Sequence, residues 1–135
     1  MFTSHHISIS VSNLERSKNF YSKLGFKELL QYNDPAGEFS ISQLKIDDLI
    51  LELFNYKKHQ PIPQNSLDLS TDLREIGVKH FGLQVPSIEK AEKYLEEIEI
   101  IKKVEINKGK TGVLYFFIKD PDGMLVEISE DHRKS

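Results

Sequence analysis

The feature that most constrains this chain is an internal repeat. His6-Ile7-Ser8-Ile9-Ser10-Val11 and His80-Phe81-Gly82-Leu83-Gln84-Val85 share a pattern: a His, alternating side chains, and a closing Val, at an offset of 74 residues. The register continues. Leu14, Ser17, Phe20 and Leu24 fall on Ile88, Ala91, Tyr94 and Ile98. Leu49-Ile50-Leu51-Glu52-Leu53 falls on Met124-Leu125-Val126-Glu127-Ile128 at an offset of 75, so one inserted residue separates the two registers. The chain has 135 residues, a length that fits one domain or two half-domains. The repeat selects two halves: residues 2–56 and 78–131, joined by a linker over 57–77 that is weak in periodicity and carries Pro61, Pro63, Asn65 and Ser66.

Each half reads as strand, helix, then three strands. The strands are expected at 5–11, 26–32, 39–45 and 49–55, then at 79–85, 101–106, 113–118 and 124–130, from period-two alternation and apolar runs. The helices carry apolar stripes on a 3.6-residue period: Leu14, Ser17, Phe20, Tyr21 and Leu24, and Ile88, Ala91, Tyr94, Leu95 and Ile98. Asn13 and Ser87 occupy matching N-cap positions, and Gly25 stops the first helix. Lys45-Ile46-Asp47-Asp48 and Asp120-Pro121-Asp122-Gly123 are turns. Two tandem βαβββ modules make an α+β fold with a cupped mixed sheet.

Composition removes several classes of function. There is no cysteine, hence no disulfide framework, thiolate metal site or Cys nucleophile. The net charge is -3 without a basic cluster, so nucleic acid is not an expected partner. No apolar run reaches the roughly 20 residues of a membrane span, and Met1 to His6 has no secretion-signal pattern. A cytoplasmic protein acting on a small molecule is expected, and any metal must be held by His, Asp and Glu.

Alternation places those residues. His6 shares a strand face with Ser8 and Ser10, while Ile7, Ile9 and Val11 face the helix. His80 shares its face with Gly82 and Gln84. Glu52 and Glu127 interrupt apolar runs, where a carboxylate is costly unless its charge is compensated. His6, Glu52, His80 and Glu127 therefore stand at matching places of the two repeats. Two imidazoles and two carboxylates suit Zn, Ni, Co, Mn or Fe(II). A strand His or Glu more often faces solvent or packs in the core; here the repeated context favours ligation. His5 is on the opposite face, and His59 and His132 lie in linker and tail. Lys108-Gly109-Lys110-Thr111-Gly112 reads as a hairpin turn rather than an anion site, Lys57-Lys58-His59 as solvated, and Tyr115-Phe116-Phe117 as an aromatic strand.

These motifs resemble the vicinal oxygen chelate superfamily, the glyoxalase I/bleomycin-resistance/extradiol-dioxygenase fold. The resemblance runs from His6 through Phe20-Tyr21, Leu24-Gly25-Phe26, Leu51-Glu52-Leu53-Phe54 and Gly77-Val78-Lys79-His80 to Asp120-Pro121-Asp122-Gly123 and Glu127. It implies one divalent metal ion per site, held by His6, Glu52, His80 and Glu127. It also implies a lyase or isomerase of the glyoxalase I type, with Glu127 the first choice of base and Glu52 its partner. Clefts in this family form within one chain or across a dimer with exchanged modules, and a homodimer is the expectation. The same fold also serves extradiol dioxygenases, thiol transferases of fosfomycin resistance, CoA-thioester epimerases and metal-free drug-binding proteins. Two positions depart from the glutathione-using pattern. Ser10 stands where an Arg is usual, and Tyr56 where an Asn is usual, with Asn55 one residue early.

Overall fold

The computed structural model describes residues 1–133. Contacts divide the chain into two units, Met1–Pro61 and Ile62–Ser135. In the first, the order is β1 (His6–Ser10), α1 (Leu14–Lys23), β2 (Lys27–Asn33), β3 (Phe39–Ile46) and β4 (Leu49–Tyr56). In the second, a 3-10 turn (Gln64–Leu67) and α2 (Leu69–Asp72) precede β5 (Phe81–Gln84), α3 (Ile88–Glu97), β6 (Asn107–Lys108), β7 (Leu114–Lys119) and β8 (Leu125–Glu130).

Each unit forms one mixed four-stranded sheet, β1-β4-β3-β2 in one and β5-β8-β7-β6 in the other. The first strand pairs parallel with the last, and the remaining neighbours pair antiparallel. This is the α+β architecture expected from the repeat.

Local chemistry explains the elements. Asn13 and Ser87 cap α1 and α3, accepting from the amides of Arg16 and Lys90. The first amide of each helix is met from the end of the last strand. Leu14 N–H donates to Asn55 Oδ1 at 3.2 Å, and Ile88 N–H donates to Glu130 Oε1 at 2.7 Å. Asn55 Nδ2 also donates to the Val11 carbonyl at 3.0 Å, pinning the β1–α1 corner. Gly25 ends α1 at φ 110°, a conformation that only glycine adopts without strain.

One face of each sheet packs on its helix. Ile9, Val11, Leu14, Tyr21, Phe26, Leu44, Leu51 and Leu53 are buried in the first unit. Phe81, Ile88, Leu95, Phe116, Ile118, Val126 and Ile128 are buried in the second. Tyr94, expected on the α3 stripe, is 46% exposed. Six residues past Ile88 is about 120° off that residue's direction at 100° per residue, which puts Tyr94 beyond the stripe's edge.

One expectation is corrected. The strand read at 101–106 is absent, and pairing begins only at Asn107 and Lys108. This stretch carries Lys102, Lys103 and Glu105, charges that blunt a sheet edge, and Asn107 Nδ2 takes the Glu105 carbonyl at 3.1 Å. The stretch read as the linker between the halves holds the 3-10 turn and α2. Asp72, at the end of α2, is 3% exposed, and its Oδ1 lies 3.2 Å from Lys79 Nζ. Lys79 Nζ also donates to the backbone carbonyls of Asp72 and Glu75. This buried pair ties the connection to the residue immediately before His80.

Candidate metal-binding faces

The face of each sheet turned away from its helix carries the candidate side chains. In the second unit the pleat aligns Gly82, Glu127 and Phe117 across three strands: Gly82 pairs with Glu127, and Phe117 pairs with Glu127 from the other side. His80 lies two residues before Gly82, on the same face and one residue ahead of β5. His80 Nε2 stands 3.6 Å from Glu127 Oε1. Phe117 meets the imidazole edge-on, with ring centroids 4.7 Å apart. Ser129 Oγ donates to Glu127 Oε2 at 2.7 Å. Beside Glu127 opens a cavity of about 480 Å³, lined by Gly82, Gln84, Tyr115, Ser129 and Arg133 among others.

In the first unit the equivalent row is Ser8, Glu52 and Gln43, again directly opposite one another. Both outer members are donors. Ser8 Oγ donates to Glu52 Oε1 and Gln43 Nε2 donates to Oε2, each at 2.9 Å. These bonds, that of Gln43 foremost, hold the Glu52 carboxyl below its ordinary range, aided by the charges of His6 and His5 and opposed by partial burial. His6 sits two residues before Ser8 on the same face, as alternation predicts. His5 Nδ1 lies 2.8 Å from His6 Nδ1, with the rings edge to face.

The structure thus brings His80 and Glu127 together at 3.6 Å and places His6 and Glu52 on one sheet face. Among the described residues no group of three or more His, Asp or Glu side chains is placed to hold one ion.

The His80–Glu127 pair fits a divalent cation. Two donors each about 2.1 Å from one ion stand about 3.0–3.5 Å apart, close to the 3.6 Å found. Among the described residues, Nε2 of His80 is free to take one. Nε2 is beyond hydrogen-bond distance of Glu127, and Nδ1 is buried with no hydrogen-bond partner among the described residues. A divalent ion would give Nε2 a partner, while the buried Nδ1 would still need a partner of its own.

Other candidates take structural roles. The Lys108–Gly112 segment is a turn whose Gly109 and Gly112 amides bond to the Val113 and Gly109 carbonyls. Phe116 is in the core, while Tyr115 and Phe117 lie on the Glu127 face. Asn55 is committed to the β1–α1 corner, and Tyr56 stacks on Phe39 at 5.2 Å. Gln43 and Ser8 were not among the residues singled out from sequence. Ser8 had been placed on the right face, but which β3 residue sits opposite Glu52 is a matter of register.

Comparison with known proteins agrees with this architecture. The family model described as Glyoxalase/Bleomycin resistance protein/Dioxygenase superfamily matches residues 3–128. An uncharacterized protein of Bacillus subtilis (strain 168), YwkD, is 30% identical over 128 residues, which is 93% of this chain and 94% of that protein. The crystal structure of a glyoxalase family protein from Enterococcus faecalis superposes with a TM-score of 0.78 at 29% identity, covering 95% of this chain and 97% of the other. A trypanothione-dependent glyoxalase I from Leishmania major shares the fold at 20% identity, with a TM-score of 0.67 over 96% of this chain and 87% of its own.

Proposed function

The chain belongs to the Glyoxalase/Bleomycin resistance protein/Dioxygenase superfamily, and from that premise we propose that it is a divalent-metal-dependent lyase or isomerase of the glyoxalase I type. Members of this superfamily generally bind a divalent metal. The substrate is a small molecule that presents two adjacent oxygens, such as the adduct of a 2-oxoaldehyde with a thiol. The observation that carries the reading is the His80–Glu127 pair at 3.6 Å, repeated in pattern by His6 and Glu52.

The resemblance would make His6, Glu52, His80 and Glu127 the ligands of the ion, whether one chain or two chains of a dimer supply them. When bound, the ion acts as a Lewis acid on the adjacent substrate oxygens. Glu127 takes the proton from one carbon and returns it to the neighbouring carbon, so that the substrate is isomerised with no external oxidant or reductant. Its Oε2 is steadied by Ser129 Oγ, and its Oε1 is the atom on the His80 side. Phe117, edge-on to His80, limits rotation of the imidazole. Ser10 and Tyr56 remove the usual glutathione contacts and Asn55 is occupied in the corner, which favours another thiol or a CoA thioester as the carrier. The active species in this reading is a cytoplasmic homodimer.

The test is reconstitution with Ni(II), Co(II), Zn(II), Mn(II) and Fe(II), followed by assay of methylglyoxal adducts with several thiols and of a thioester epimerisation. Metal-dependent turnover that Glu127→Gln abolishes is the expected result. Turnover unchanged in metal-free protein would contradict it. No helix among the described residues is long and apolar enough to cross a membrane.

A further inference from the structure

The two candidate carboxylates occupy the same place in the repeat but have different neighbours. Glu52 is flanked across the sheet by Ser8 and Gln43, Glu127 by Gly82 and Phe117. We propose that Ser8 and Gln43 are positioning residues that lock Glu52 in one orientation, making it the static carboxylate of the pair, while the bare flanks of Gly82 and Phe117 leave Glu127 free to move. The proposal rests on the functional reading above and deepens it.

The geometry carries the argument. Ser8 Oγ holds Oε1 and Gln43 Nε2 holds Oε2, both at 2.9 Å, from strands on opposite sides of β4. A carboxylate pinned at both oxygens from both sides cannot rotate or withdraw without breaking one of these bonds. Each oxygen keeps a second lone pair, so the clamp leaves Glu52 competent to bind a cation. Glu127 has no equivalent. Gly82 has no side chain to donate, and a Cβ built there would only touch Glu127, 3.6 Å from Oε2, in ordinary van der Waals contact. Phe117 offers no donor. Ser129 holds only Oε2, and from the same strand. A static ligand and a mobile base make different demands, and the sequence separates them by two substitutions within the repeat.

The test uses Ser8→Ala, Gln43→Met, the double variant and Ser8→Thr, read first by Zn(II) affinity and by the visible spectrum of the Co(II)-loaded protein. Removing partners that orient metal ligands typically costs about 10- to 100-fold in affinity. That loss, with an altered Co(II) spectrum, is expected for Ser8→Ala and for Gln43→Met, and Ser8→Thr restores the wild-type values by keeping the hydroxyl. Thermal unfolding of the metal-free variants close to wild type confirms that the effect is local. Wild-type protein that binds Zn(II) while Ser8→Ala and Gln43→Met bind it equally well overturns the clamp and leaves the functional reading standing. Wild-type protein that binds no divalent ion overturns the functional reading, and the clamp with it.

Discussion

His80 Nε2 and Glu127 Oε1 face each other at 3.6 Å from the parallel strand pair of the second unit, too far for a hydrogen bond and close to the bite of a chelated cation. His80→Ala removes the nitrogen and leaves the carboxylate. Zn(II) affinity is expected to fall at least about 10-fold, measured by competition with a chromophoric chelator. Glu127→Gln keeps the shape but not the charge or the proton acceptor. Turnover is expected to fall about 10²- to 10⁴-fold, the range for loss of a general base.

The clamp has a reciprocal. Gly82→Ser places a hydroxyl beside Glu127 as Ser8 lies beside Glu52, and a Cβ there makes only ordinary contact. Metal affinity is expected to hold or rise, while kcat falls because the base is pinned. Unchanged kcat with a serine hydroxyl bonded to Glu127 would count against a need for mobility.

The tie between Lys79 and Asp72 is a matter of stability. Asp72 is 3% exposed, and Lys79 Nζ also serves two backbone carbonyls at the end of α2. Lys79→Met leaves a buried carboxylate unpaired and is expected to cost about 3 kcal/mol in urea unfolding. Asp72→Leu combined with Lys79→Met removes both charges and is expected to recover much of that loss, since apolar replacement of a whole pair is often close to neutral.

Acid sensitivity is read at the end of β8. The Arg133 guanidinium and amide bonded to Asp131 lower its carboxyl from 3.8 to about 2. A depressed folded value means that the contribution is present above the unfolded value and lost as pH falls through the folded one, here between about pH 4 and 2. In Arg133→Ala the Asp131 carboxyl is expected to titrate near its ordinary value, followed by carbon-detected NMR, and this exposed pair's small contribution to acid sensitivity to vanish. A midpoint still near 2 in the variant would assign the shift to another group.

Much of this was legible before the structure, for reasons that lie in particular residues. Asn13, Ser87 and Gly25 are local signals and were read correctly, because capping needs only the next few residues. Alternation put Ser8 and His6 on one face, and Glu52 among residues facing the other way, because strand geometry has period two. What alternation does not give is the neighbour across the ladder. Gln43 is nine residues from Glu52 along the chain and directly opposite it in the sheet, a relation set by the Asp47-Asp48 hairpin. The failure at 101–106 has the same root. An apolar and charged mixture looked like a strand, but an edge strand's length depends on how much of its partner it meets. The linker read as weak in periodicity because its organising contact, Asp72 with Lys79, joins residues seven apart with no repeating pattern between them.

The central proposal is that His6, Glu52, His80 and Glu127 are each a ligand of a divalent ion. Its most direct test is metal content and Zn(II) affinity of wild-type protein and of His6→Ala, Glu52→Ala, His80→Ala and Glu127→Gln, measured after full reconstitution and removal of loose metal. The account predicts one ion per chain in the wild type, with affinity lowered by every one of the four substitutions. Wild-type protein that retains no ion, or four variants that bind as the wild type does, would contradict it.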